Sequence, residues 1–136
     1  MKVSTLAAVA ALSLIPVSGA MAQDDETPSD LKIYFDLGSS QIRADQGEAL
    51  DTAARLFRDG NPIVMIVSGS ADTVGGDLLN LNLSTQRAQT VAVALADRGI
   101  PASRLQITGL GNSELAVETP DGTAEQQNRT ATITWR

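Results

Sequence analysis

Apolar and polar positions alternate along this chain in two distinct periods. LKIYFDL sets Leu31, Ile33, Phe35 and Leu37 against Lys32, Tyr34 and Asp36, which predicts a half-buried strand. From about Asp45 to Asp59 the period lengthens. Leu50, Ala53, Ala54 and Phe57 fall at i, i+3, i+4, i+7, as one helix face requires. Asp45 with Glu48 three residues on resembles a capping box, Gly60 suits the left-handed position past the helix end, and Pro62 forbids continuation. IVMIV (63–67) is continuously apolar and β-branched, the pattern of an interior strand buried on both faces. A second helix is predicted over about Thr85 to Arg98, capped by Ser84, with Ala88, Val91, Ala92 and Leu95 as its stripe. Gly99 ends it, and Ile100 is placed to fold back on Leu95 in a Schellman motif.

RLQIT (104–108) and TATITW (130–135) alternate again as strands, the latter with Ala131, Ile133 and Trp135 inward and three threonines outward. In the long connection between them, Thr123 with Gln126 predicts a short capped helix near 123–128. The order β-α-β-α-β-β implies an α/β (α+β) fold of two layers, both helices packed on one mixed sheet. The two helix-bearing crossovers favour parallel neighbours, and the last strand can pair either way.

The first 22 residues change the domain count. Lys2, the apolar run Leu6 to Val17 and Ala20-Met21-Ala22 have the form of a secretory signal with its cleavage site. The run is short of the roughly 20 apolar residues that span a bilayer. The expected division is therefore a signal peptide over 1–22, a flexible acidic leader over 23–30 (QDDETPSD) and one domain over 31–136. The processed chain would be exported, without a direct membrane span.

Cysteine and histidine are both absent. That removes a disulfide framework, lipidation at the processed N-terminus, and the commonest general base and zinc ligand. Lys2 is the only charged residue of the signal, so its removal takes the formal charge from −6 to −7. Nucleic acid is excluded as a bulk electrostatic partner, and an anionic ligand must be recognised locally.

The remaining chemistry concentrates in GSADTVGGDLLNLNLSTQRA (69–88). Asp72 follows the interior strand and so lies at its carboxyl end, where ligands of open α/β sheets collect. Gly75 and Gly76 permit a tight turn, Leu78, Leu79, Leu81 and Leu83 would anchor the excursion to the core, and Asn80 and Asn82 offer amides. Arg87, placed third in its helix, would oppose the positive end of the helix dipole, which marks it as serving something other than helix stability. On spacing alone, Asp72 and Arg87 either close on each other as an ion pair or hold a ligand carrying both charges.

The same run resembles the signature of the OmpA-like peptidoglycan-binding domain, G-x-T-D-x-x-G-x-x-x-Y-N-x-x-L-S-x-x-R-A. Gly69, Asp72, Gly75, Asn80, Leu83, Ser84, Arg87 and Ala88 fall on it without a gap. The likeness extends to YFDLGSSQI (34–42), GIPASRLQITGLG (99–111) and Asn128-Arg129, covering nearly all of the predicted domain. The resemblance implies non-covalent peptidoglycan binding in the periplasm. Asp72 would accept from the ammonium of the stem peptide's diaminopimelate, and Arg87 would clamp the adjoining carboxylate. Asn80 would orient the site or touch the peptide, with Thr73, Asp77 and Arg129 as supporting candidates and Ser84 as a helix cap. An outer-membrane or periplasmic protein is the further partner it implies, and no cofactor.

Ser70, Ala71 and Leu79 replace the family's ring, threonine and aromatic, Thr130 replaces a second arginine, and Asn112 an acid. These losses imply weaker ligand contacts, which keeps open an alternative: a protein–protein module, using the threonine face of the last strand, that has lost tight wall binding. Catalysis is not expected, since Ser68, Ser70 and Ser84 have no histidine to activate them. Asp72 and Asp77 lack the ligand alternation of a calcium loop, and Gly109-x-Gly111 lacks the third glycine and helix of a nucleotide fingerprint.

Overall fold

The computed structural model describes residues 29–136, so the predicted signal and most of the acidic leader lie outside the described residues. Four strands, β1 (Leu31–Tyr34), β2 (Met65–Gly69), β3 (Leu105–Gly109) and β4 (Thr130–Trp135), form one sheet in the order β1-β4-β2-β3. β2 and β3 are parallel across the helical crossover, while β4 is antiparallel to both β1 and β2. The first crossover therefore does not join neighbours: β4 enters between β1 and β2. Helices α1 (Gly47–Gly60) and α2 (Asp77–Asp97) pack on one face of this sheet, giving the expected two layers. Among the described residues no helix is long and apolar enough to cross a membrane.

The core joins Ile33 and Phe35, Met65 and Val67, Ala131 and Ile133 to Leu50 and Ala53 of α1 and Ala88, Val91 and Leu95 of α2. Burial alternates in β2, whose continuous apolar run had implied burial on both faces, whereas β3 does not alternate and leaves Ile107 exposed. Met65 and Val67 are buried but Ile66 and Ser68 only half so, because no helix covers the second face among the described residues.

Caps differ from expectation for local reasons. Asp45 does not cap α1, since Arg43 takes its carboxylate through Nε at 3.1 Å and Nη2 at 2.6 Å. Gly60 is the last helical residue, and the left-handed position belongs to Asn61 (φ 46°), one of the few side chains that tolerates it. At the end of α2 the Schellman motif forms: Ile100 donates to Leu95 O at 3.2 Å and Gly99 to Ala96 O at 3.0 Å, with Ile100 buried.

The start of α2 is the largest departure. The helix begins at Asp77, not near Thr85, and Ser84 lies inside it. Its buried stripe runs Asn80, Ser84, Arg87, Ala88, Val91, Ala92, Leu95, a regular helical spacing whose first half is polar. Leu78, Leu79 and Leu81 face solvent instead of anchoring a loop. The helix lies so close to the sheet that a Cβ on Gly69 would stand 1.8 Å from Ser84 O, and one on its register partner Gly109 2.0 Å from Thr85 Oγ1. Gly69→Ala must push a backbone aside, not a flexible side chain. Denaturant titration should show a loss of about 3 kcal/mol, at the upper end for overpacking; an unchanged midpoint would disprove this contact.

Candidate functional site

Beyond Gly69 the chain stays extended between two supports. Ser70 donates its N–H to Thr130 O at 2.7 Å, and Ala71 to Gly111 O at 2.8 Å. The Gly111 turn (φ 58°) is in turn pinned to α2, because Gly111 N–H donates to Ser84 Oγ at 2.8 Å while that hydroxyl donates to Leu81 O. Ser84 is thus a peg between helix and turn, not a cap.

These supports place Asp72 in a nearly closed setting, 3% exposed. Its Oδ1 accepts from Val74 N–H at 3.2 Å, and its Oδ2 from Glu125 N–H at 3.1 Å and Arg129 Nη1 at 3.0 Å. Arg129 is the ion partner of Asp72, and its Nε also donates to Phe35 O. No salt bridge joins Asp72 to Arg87, so mutual pairing of those two, one of the alternatives left by spacing, is not what the chain does.

Arg87 sits well inside α2, not in its first turn, so the dipole argument for it falls. It is fully buried. Nε donates to Ser39 O at 2.8 Å, Nη1 to Ser70 O at 2.9 Å and Nη2 to Asp36 O at 3.1 Å, and the guanidinium carbon lies 5.3 Å from the Phe35 ring centre. Burial pulls its pKa down to about 10, the Asp72 charge opposing and the Arg129 charge adding to that pull, which leaves Arg87 a cation at neutral pH.

The other predicted residues divide. Asn80 shares the buried stripe of Arg87 and is 2% exposed, and its Nδ2 has no hydrogen-bond partner among the described residues. Thr73 is committed to structure: its hydroxyl donates to Pro120 O at 2.8 Å and accepts from Thr123 N–H at 3.1 Å, fastening the 119–123 loop. Thr123 accordingly caps nothing, and the expected helix there is a 3₁₀ turn over Gln126–Asn128, capped by Glu125. Asp77 is exposed and accepts from Asn112 Nδ2 at 3.2 Å.

Sequence reasoning missed the carbonyls of Asp36, Ser39 and Ser70 around Arg87, and the Glu125 N–H on Asp72. Backbone groups carry no residue signature, so nothing in the sequence marks them. It also missed Asn128, 1% exposed, whose side chain accepts from Val117 N–H and donates to Val117 O, so holding the preceding loop to the sheet.

The sequence model described as "OmpA family" matches residues 34–129. The chain is 32% identical over 102 residues to a probable lipoprotein, YiaD, of Escherichia coli, covering 75% of this chain and 47% of that protein. It is 34% identical over 100 residues to a peptidoglycan-associated lipoprotein of Brucella melitensis, covering 74% and 60%. The chain therefore spans about half to three fifths of these relatives. Among solved structures, the peptidoglycan-associated lipoprotein of Burkholderia pseudomallei superposes with a TM-score of 0.72 at 24% identity, over 78% of this chain and 90% of that one.

Proposed function

This chain belongs to the OmpA family, and from that premise we propose that it binds peptidoglycan non-covalently and without catalysis, seating the diaminopimelate of the stem peptide at Asp72, Arg87 and Asn80. The observation that carries the reading is an acid past the end of β2 and a buried cation on α2 that do not pair with each other, with a buried amide donor without a partner about two turns before the cation on the same helix stripe. Leaving such a donor unpaired costs about 1–3 kcal/mol, which an incoming acceptor would recover.

Capacity remains at both charges. A guanidinium has five N–H groups, and the three carbonyls leave one on each terminal nitrogen without a partner; Arg87 being fully buried, a ligand carboxylate would reach them only as the covering segment opens. The Asp72 carboxylate has one acceptor site left on Oδ1. Lysine in place of diaminopimelate would bring no carboxylate to Arg87, which is specificity by a missing partner. Leu79, standing where the family has an aromatic, lies over Gly75, its Cδ2 3.1 Å from where a Cβ there would be. Export to the periplasm follows from this reading, as does a role in anchoring or organising the envelope, with an outer-membrane or periplasmic protein as second partner.

Co-sedimentation with purified sacculi tests it. Wild type should pellet, and Asp72→Asn and Arg87→Lys, each checked for folding by circular dichroism, should pellet about tenfold less, the loss of one charged hydrogen bond. Equal pelleting of all three would remove the site. If none pellets, the protein–protein reading takes over, with the threonine face of β4 as its surface.

A further inference from the structure

The uncovered face of the sheet bears a second polar feature. Ser68 and Ser70 of the β2 strand line project there beside Thr132 and Thr130 of β4; Ser68 and Thr132 are register partners, and Ser70 N–H bonds Thr130 O. The four side chains line one cavity of about 310 Å³, within the range of roughly 300–1,000 Å³ typical of small-ligand sites. Ser70 is 9% exposed and Thr130 5%. No side-chain hydroxyl of the four has a hydrogen-bond partner among the described residues, although every other buried hydroxyl described above is engaged. Four hydroxyls in a two-by-two array, two of them on residues more than nine-tenths buried, open into this cavity without a protein partner and so are free to exchange water for the hydrogen-bonding groups of a ligand.

We propose that this cavity binds a sugar ring of the wall glycan, an N-acetylated amino sugar, next to the stem-peptide site. The choice of wall glycan rests on the peptidoglycan reading above; the choice of a sugar rests on the cavity. Hydroxyls both donate and accept, as sugar hydroxyls do, and the strands offer side chains here instead of free backbone edges, so an added peptide strand has nothing to pair with. Leu110, Leu115 and Ala116 supply an apolar wall for an acetyl methyl. Lys32 is offset by Asp30 and Glu114, which suits an uncharged ring over an anionic one. The cavity also adjoins the other site along the chain: Asn128 and Thr130 line it, and the residue between them, Arg129, holds Asp72.

Calorimetry with three soluble probes separates the two readings: a diaminopimelate-containing stem peptide, the same peptide on its disaccharide, and the disaccharide alone. The sugar-bearing peptide should bind about tenfold more tightly than the bare peptide, as two or more neutral hydrogen bonds would give. Thr132→Val and Ser68→Ala, which remove hydroxyls the fold does not use, should erase that gain and leave the bare-peptide Kd unchanged. The disaccharide alone should shift the amide resonances of Ser68, Ser70, Thr130 and Thr132. If the bare peptide fails to bind while those shifts appear, the Asp72 site falls and this one stands. Equal affinity with and without the sugar, silent amides, or a concentration-dependent dimer whose interface maps to these same amides would each overturn it.

Discussion

Arg87→Ala should cost the domain about 4 kcal/mol, seen as a collapse of the urea midpoint or failure to fold. Three backbone carbonyls, from Asp36, Ser39 and Ser70, would lose their only charged donor; that of Ser70 is buried, those of Asp36 and Ser39 are part-buried, and Asp36 O keeps the N–H of Ser39 at 3.1 Å. Each unsatisfied buried acceptor costs about 1–3 kcal/mol. Removal of a fully buried side chain stacked on Phe35 adds a cavity. A domain of this size has roughly 5–15 kcal/mol in all, so one substitution consumes much of it. Arg87→Lys keeps the charge but not the planar fork, and one ammonium cannot serve three divergent carbonyls. It should recover part of the loss, about half by the number of bonds it can keep. A midpoint unchanged by either variant would mean that Arg87 does not hold these segments together.

This result bears on how a ligand reaches Arg87. The side chain ties the 36–39 loop, the end of β2 and the middle of α2 to one point, so it is structural before it is anything else. On the proposed reading, a ligand carboxylate would use the two N–H groups left over, without stripping the carbonyls. The site is accordingly rigid on its Arg87 side, and any opening falls to the 119–125 segment that covers Asp72 and Thr73.

Apolar periodicity was a good guide wherever burial is apolar. Leu50, Ala53 and Phe57 marked α1, and the alternation of β1 and β4 gave the correct inward faces. It failed where the buried stripe turns polar: Asn80, Ser84 and Arg87 continue the helical spacing of Val91 and Leu95, but a hydrophobic pattern cannot see them, and exposed Leu78 and Leu79 point it to the wrong face. The position of β4 between β1 and β2 was not legible either, since either strand edge would have satisfied the same alternation. For the site, the spacing of Asp72 and Arg87 implied a pair of charges, yet the ion partner of Asp72 comes from Arg129, 57 residues away. Such a contact is created by the entry of β4 into the middle of the sheet, so it shares the illegibility of that topology.

Arg129→Gln should then separate stability from binding in opposite directions. Asp72 would lose one charged hydrogen bond but keep the N–H groups of Val74 and Glu125, so the expected cost is about 2 kcal/mol of unfolding free energy. Binding of free diaminopimelate should tighten, because Arg129 is a resident cation on the same carboxylate that the ligand's ammonium must share. Like charges competing for one acid repel, strongly so where the Arg129 and Asp72 side chains are 14% and 4% exposed. A gain of roughly tenfold at low salt, shrinking as salt screens the remaining charges, is the expected calorimetric result. Asp72→Asn in the same assay should weaken binding about tenfold, since it removes the charge that both cations seek. If Arg129→Gln instead weakens binding, with the fold intact, Arg129 reaches the ligand's carboxylate itself, and the cation that clamps it is not Arg87 alone.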